Sequence, residues 1–155
     1  MRLWHKDLIE VLPRQQLIAQ WRECCCIAKN IAEKGTPNHI LVNKVTDYPP
    51  NHFFHYTELI LDEIHKRGYR TTFKSVNNFL LNMDKISENY HTLIKKEDIF
   101  KEWHNDRYLT QCYYNLQEKY DCIPHKHGGL TQEEWKKIND KYIEIYTKKI
   151  RRANR

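Results

Sequence analysis

Arg14 to Lys34 reads RQQLIAQWRECCCIAKNIAEK, and its apolar residues Leu17, Ile18, Trp21, Cys24, Cys25, Ala28, Ile31 and Ala32 recur at steps of three and four. That spacing puts them on one face of a long α-helix. Pro13 suits the first turn of such a helix, and Gly35 can supply a left-handed C-cap. Gly35 to Asn38 then breaks the pattern, and Val45 to Pro50 ends in a Pro-Pro pair that a helix interior cannot hold, so this stretch reads as a connector.

Working outward, Phe53, Tyr56, Ile60 and Ile64 share a face and predict a helix from about Asn51 to Arg67, stopped by Gly68. Helical spacing in Phe73, Val76, Phe79 and Leu80, and again in Ile86, Tyr90, Leu93 and Ile94, predicts two shorter helices between Thr71 and Trp103. Asn105 or Asp106 can cap a further helix through Tyr120, with Leu109, Cys112, Tyr113 and Leu116 on its buried stripe. For the last helix, Thr131 and Glu134 have capping-box spacing, and Leu130 and Trp135 occupy the hydrophobic-staple positions. Met1 to Leu12 mixes apolar and charged residues without a clear period. No stretch alternates as a strand would, so the expected fold class is all-α: one compact domain, residues 1–155, of about six helices.

The length of 155 residues fits a single domain with a real core. A hydrophobic fraction of 40% and a mean hydropathy of -0.85 exclude a membrane protein. The 26 Lys and Arg against 20 Asp and Glu leave a formal charge of +6, so a polyanion, nucleic acid first, is the partner the composition favours. Lys148, Lys149, Arg151, Arg152 and Arg155 make residues 147–155 a basic tail. Five cysteines, three of them consecutive at Cys24 to Cys26, suit no disulfide framework, and the opening residues carry no secretory pattern, so the cytoplasm is the expected compartment.

Few motifs carry chemistry by themselves. Cys122, His125 and His127 cluster before Gly128-Gly129 but lack a second pair of ligands at zinc-finger spacing, and the glycines form no phosphate-cradling pattern, so neither metal nor cofactor is expected. Two of the three consecutive cysteines are expected to face the core as small apolar residues. Arg22 and Glu23 point about 100° apart on the helix and do not explain each other as an ion pair; spacing alone reads Glu23 as solvated surface.

Leu17 to Glu23 on the long helix, Val45-Thr46, and Phe53-Phe54-His55-Tyr56 leading to Lys66-Arg67-Gly68-Tyr69 together resemble the pyrimidine-dimer DNA glycosylase family, the phage endonuclease V type. The family has a short N-terminal segment, a long helix bearing an Arg-Glu pair, and a later helix ending in a Lys-Arg-Gly-aromatic turn. Met1-Arg2-Leu3-Trp4 is similar to the opening of its small bacterial members. The likeness covers about residues 1–70, with a weaker echo at 105–119, while Thr71 to Trp103 matches poorly.

The resemblance implies a metal-independent repair enzyme without cofactor that removes a damaged base from duplex DNA and cuts the strand at the resulting abasic site. The family's nucleophile is a free N-terminal α-amine, a group with pKa near ~7.7 to 8.0 against ~10.4 for lysine and so more often neutral at cellular pH. Glu23 matches the family's catalytic carboxylate, Arg22 an arginine set against the DNA backbone, and Gln15 a polar residue facing DNA. Two alignments of the start compete, one placing Arg2 at the position of the family's nucleophilic Thr and one setting Met1-Arg2 against Thr-Arg; the second is preferred and makes Met1 the nucleophile. A further family arginine falls on Cys26, with Lys29 as its substitute. Arg2, Arg14, Arg22, Lys66, Arg67 and the tail from Lys148 are the expected phosphate contacts. The expected partner is damaged double-stranded DNA, with no membrane and no obligate protein partner. A non-catalytic DNA-binding protein on the same scaffold is the alternative, and an RNA-directed relative a third reading.

Overall fold

A computed structural model describes residues 1–155. Its five α-helices are α1 (Arg14–Lys34), α2 (Pro50–Lys66), α3 (Phe73–Ile86), α4 (Asp106–Cys122) and α5 (Gln132–Ala153), joined by four 3-10 segments, and the chain has no strand. With the six-residue 3-10 helix Lys6–Val11 they make six helical elements of six residues or more. The all-α expectation holds.

Local chemistry explains most boundaries. Pro13 is the residue before α1, and Gly35, left-handed at φ 74°, closes the helix by donating its N–H to the Ile31 carbonyl at 2.8 Å. The Pro49-Pro50 pair begins α2 instead of merely ending a connector: Pro50 occupies the first turn, where its missing N–H costs nothing. Thr72 caps α3, Asn105 caps α4, and Thr131 with Glu134 closes both hydrogen bonds of the capping box on α5. Gly129 is required by close approach, because a Cβ there would lie 1.7 Å from the Ile123 carbonyl oxygen.

The second short helix expected over Ile86 to Ile94 does not form. Ser87 adopts an extended conformation and accepts from the Asn89 N–H, and a turn then bonds Thr92 to the Asn89 carbonyl. Such side-chain-to-backbone bonds compete with the helix ladder. Leu93, counted in the apolar spacing, is solvent-exposed, and only the short 3-10 turn Lys96–Asp98 follows.

The core forms where α1 packs on α2 and α3, while the 3-10 helix Lys6–Val11 bridges α2 and α5, and α5 lies along α4. Leu17, Ile27, Phe53, Tyr56, Ile60 and Phe79 are completely or almost completely buried, each side chain contributing about 1.5–3 kcal/mol. Tyr113 and Tyr142 stack at 4.0 Å between α4 and α5. Of the three consecutive cysteines, Cys24 is buried, Cys25 half-buried and Cys26 exposed; burial raises the Cys24 thiol pKa and pushes Cys25 up to about 12. No helix is long and apolar enough to cross a membrane.

The surprise is the N-terminal dozen residues. Leu3, Trp4, Leu8, Ile9 and Leu12 all belong to the core, and even His5 and Lys6 are buried. Charges between these positions hid the pattern, because a short extended run followed by a 3-10 turn has no single period. Lys6 keeps its ammonium satisfied by donating to the Glu97 and Ile99 carbonyls at 2.8 and 2.6 Å.

Candidate active site

Burial of Leu3 and Trp4 draws the start of the chain across α1. The Arg2 backbone N–H donates to Glu23 Oε2 at 3.1 Å. Gln20, one turn earlier on the helix, donates from Nε2 to the Arg2 carbonyl at 2.7 Å and to the same Glu23 oxygen at 3.2 Å. Its Oε1 accepts the Trp4 N–H at 2.8 Å, and the Tyr56 hydroxyl donates to the Trp4 carbonyl at 2.7 Å. From the other side, the Tyr108 hydroxyl donates to the Leu3 carbonyl at 2.5 Å. Residues 2–4 are therefore held by side chains from α1, α2 and α4.

Glu23 is half-buried and fixed by two donors, not a freely solvated surface carboxylate. Met1 is 37% exposed, and two intervening carbons separate its α-nitrogen from the Arg2 amide, a span of at most ~3.7 Å. The amine thus lies no more than ~7 Å from the Glu23 Oε2 that accepts the Arg2 amide. The Arg2 guanidinium sits over the Trp4 ring at 5.3 Å and lines a groove of about 430 Å³ with Leu41, Tyr108, Gln111 and Tyr114.

A second groove, of about 620 Å³, brings together Arg14, Gln15, Ile18 and Arg22 from α1 with His125 and Glu134. Gln15 donates to the His125 carbonyl at 3.3 Å and Gln16 to the Gly128 carbonyl at 2.7 Å, so the turn containing the two glycines is tied to the start of α1. Arg14 lies over the Tyr69 ring at 4.9 Å, which joins the Lys-Arg-Gly-aromatic turn to the same edge. Lys29 is exposed on the Arg22 face of α1, two turns further on, and Cys26 stands exposed between them. Lys66 is exposed at the end of α2.

Arg67 is placed differently from the other cations. Its guanidinium pairs with Glu63 at 2.8 Å and donates to the Leu12 and Glu10 carbonyls at 2.6 and 3.0 Å, closing the end of the N-terminal 3-10 helix. The basic tail continues α5 as a helix to Ala153, and Lys148 pairs with Glu144 at 2.6 Å. Cys122, His125 and His127 are exposed, and no group of three potential metal ligands converges there.

Sequence reasoning missed Gln20, Tyr56 and Tyr108. Gln20 did leave a signal: it is an amide on the buried stripe, beside Trp21 and between Leu17 and Cys24, where an unpaired polar group would be costly. The two tyrosines left none, since a buried hydroxyl looks like any other core aromatic.

Residues 1–76 match a family described as pyrimidine dimer DNA glycosylase. The matched span contains Met1, Arg2, Glu23 and every α1 and α2 cation named above, and it ends inside α3. No curated protein and no solved structure matches the chain.

Proposed function

We propose, from the match of residues 1–76 to the family described as pyrimidine dimer DNA glycosylase, that this protein is a glycosylase and abasic-site lyase acting on damaged duplex DNA, with pyrimidine dimers as its substrate. The observation that carries the reading is the hydrogen bond from the Arg2 amide to Glu23, which keeps a carboxylate beside the N-terminal amine.

In the proposed reaction the neutral Met1 α-amine attacks C1′ of the damaged nucleotide. The glycosidic bond breaks and its electron pair leaves with the base, the attached nitrogen loses a proton, and its lone pair then opens the sugar ring: the C1′–O4′ bond breaks, O4′ takes up a proton, and an imine links C1′ to the protein. Glu23, close to the amine but not bonded to it, is suited to stabilise positive charge at the sugar and then to take the C2′ proton. The electron pair left at C2′ forms a double bond to C3′ as the 3′ phosphate departs, which cuts the strand. Water hydrolyses the imine and frees the amine. Arg14, Arg22, Lys29 and Lys66 supply phosphate contacts that position the duplex, with Gln15 facing it. Arg67 contributes to that surface indirectly, by bracing the N-terminal segment.

The test is borohydride trapping on duplexes carrying an abasic site or a cyclobutane dimer, using protein whose N-terminus is verified by mass spectrometry. An adduct mapped to Met1 on both substrates is expected. Glu23→Gln is expected to keep salt-sensitive DNA binding and lose strand cleavage; full cleavage by that variant would remove Glu23 from the mechanism. No adduct on either duplex, with binding intact, would assign the scaffold to non-catalytic DNA binding.

A further inference from the structure

Between α1 and α2 the chain makes a turn over Thr36 to Asn43 whose outermost residues are Ile40, 86% exposed, and Leu41, 52% exposed. Single apolar residues on a surface are ordinary, but two large aliphatic neighbours at the tip of a cross-braced turn are not. The Asn43 side-chain oxygen accepts the His39 N–H at 3.0 Å, His39 Nδ1 accepts the Leu41 N–H at 3.2 Å, and the Thr36 hydroxyl accepts the Asn38 N–H at 3.2 Å. Asn38 holds a left-handed φ of 57°, and Val42 is fully buried. The tip is built to hold its shape while presenting two aliphatic side chains to solvent.

Its location gives that shape a use. Asn30 of α1 donates to the Pro37 carbonyl at 3.1 Å and lies seven residues beyond Glu23, nearly two turns along the same side of the helix, about 10 Å away. Leu41 lines one groove with Arg2, whose own amide holds Glu23, and Ile40 and Leu41 line the adjoining one with Lys44 and Arg107. Arg2, Lys44 and Arg107 outnumber the carboxylates of these grooves, Glu118 and Glu102. An apolar tip flanked by cations on both sides matches a duplex, in which the base stack is apolar and the two backbones are anionic. Phe73 and Leu93 are as exposed as Ile40, but neither lines the groove that holds Arg2.

We propose that Ile40 and Leu41 form a wedge that enters the base stack of duplex DNA beside the reacting nucleotide, with Lys44 and Arg107 on the phosphates. Aliphatic side chains inserted at a base step unstack and kink a duplex, and a lesion that has already weakened its stacking admits them at least cost. The wedge discriminates damaged from intact duplex without reading sequence. It rests on the glycosylase reading for the identity of the nucleotide it exposes, but not for its contact with DNA.

The test uses the full chain and an Ile40→Ser/Leu41→Ser variant on a duplex with 2-aminopurine next to an abasic site, and on the same abasic oligonucleotide as a single strand. Binding of the unsubstituted protein raises 2-aminopurine fluorescence, and the variant loses that rise. The ratio of duplex to single-strand borohydride trapping falls about tenfold or more, because only the duplex needs opening. An unchanged ratio and an unchanged fluorescence rise in the variant overturn the wedge. So does a concentration-dependent self-association of the parent protein that the variant abolishes, which would make the tip a contact between copies. Failure of the glycosylase reading looks different: no adduct forms on either strand form, while a fluorescence rise that depends on Ile40 and Leu41 still supports the wedge.

Discussion

Gln20 ties the start of the chain to α1 and α2: its Nε2 donates to the Arg2 carbonyl and to Glu23, and its Oε1 accepts the Trp4 N–H, with the Tyr56 hydroxyl 3.1 Å away. In the proposed mechanism it couples the position of the amine to that of the carboxylate, acting through its hydrogen bond to Glu23 and not on the substrate itself, and is in that sense a positioning residue. Replacing it with Leu preserves the volume but leaves the Trp4 N–H and the Arg2 carbonyl without their partner, at a cost of about 1–3 kcal/mol. The measurable consequence is a lower urea midpoint together with a single-turnover trapping rate that falls while the Kd for abasic duplex holds. If rate and affinity drop together in proportion to the folded fraction, Gln20 is structural only. Glu23 illustrates the limit of spacing. Its place on the helix reads as solvated surface, and only the likeness to a family pointed at it. The reason is that its partners come from residue 2 and from Gln20, and contact across 21 residues of chain leaves no trace in a local period.

At the scale of elements, α1, α2, α4 and α5 could be read directly, because each has a stripe of apolar residues at helical spacing and a cap or proline at its start. The segment Met1 to Leu12 could not, although it is among the most buried in the molecule. What fixes it is a pair of histidines 99 residues apart. His5 Nδ1 accepts the Asp7 N–H, so its proton sits on Nε2 and is donated to the His104 carbonyl at 2.8 Å; His104 Nδ1 in turn accepts the Lys6 N–H at 3.1 Å. Both rings must stay neutral for this arrangement. Burial pushes the His5 pKa down to about 4 and lowers that of His104 well below its ordinary value. The unfolded chain takes up a proton as pH falls through about 6.5 and the folded chain does not, so the stabilisation is complete above that pH and is lost on going down towards 4. His5 alone accounts for about 3 kcal/mol of that loss. Urea unfolding at pH 7.5 and at pH 5 should therefore show a clearly lower midpoint at the acid pH. His5→Gln, which cannot titrate, is expected to reduce the difference; an equally steep profile in that variant would mean that His5 does not control it.

Across the whole molecule the +6 charge is not spread evenly in its uses. Arg14, Arg22 and Lys29 run along one face of α1, and Tyr69 beneath Arg14 brings in the end of α2 with Lys66, whereas the neighbouring Arg67 is turned inward onto the carbonyls of the N-terminal 3-10 helix. Two residues adjacent in sequence are thus placed differently, Lys66 exposed and Arg67 bonded to backbone carbonyls, a division that charge counting could not have made. If the exposed set contacts phosphates, each contact releases a condensed counterion, and the slope of log K against log salt is about -0.9 per contact. Lys29→Ala and Lys66→Ala should each make that slope shallower by about one while leaving the unfolding midpoint unchanged. Arg67→Ala should do the opposite: removal of a guanidinium that bonds Glu63 and the end of the N-terminal helix lowers the midpoint, by about 1–3 kcal/mol, and leaves the salt slope of the folded protein intact. Fluorescence-anisotropy titrations over a range of salt, paired with urea denaturation of the same three variants, separate the two roles. A reduced slope for Arg67→Ala without loss of stability would place that guanidinium on the DNA and release the N-terminal segment from its brace.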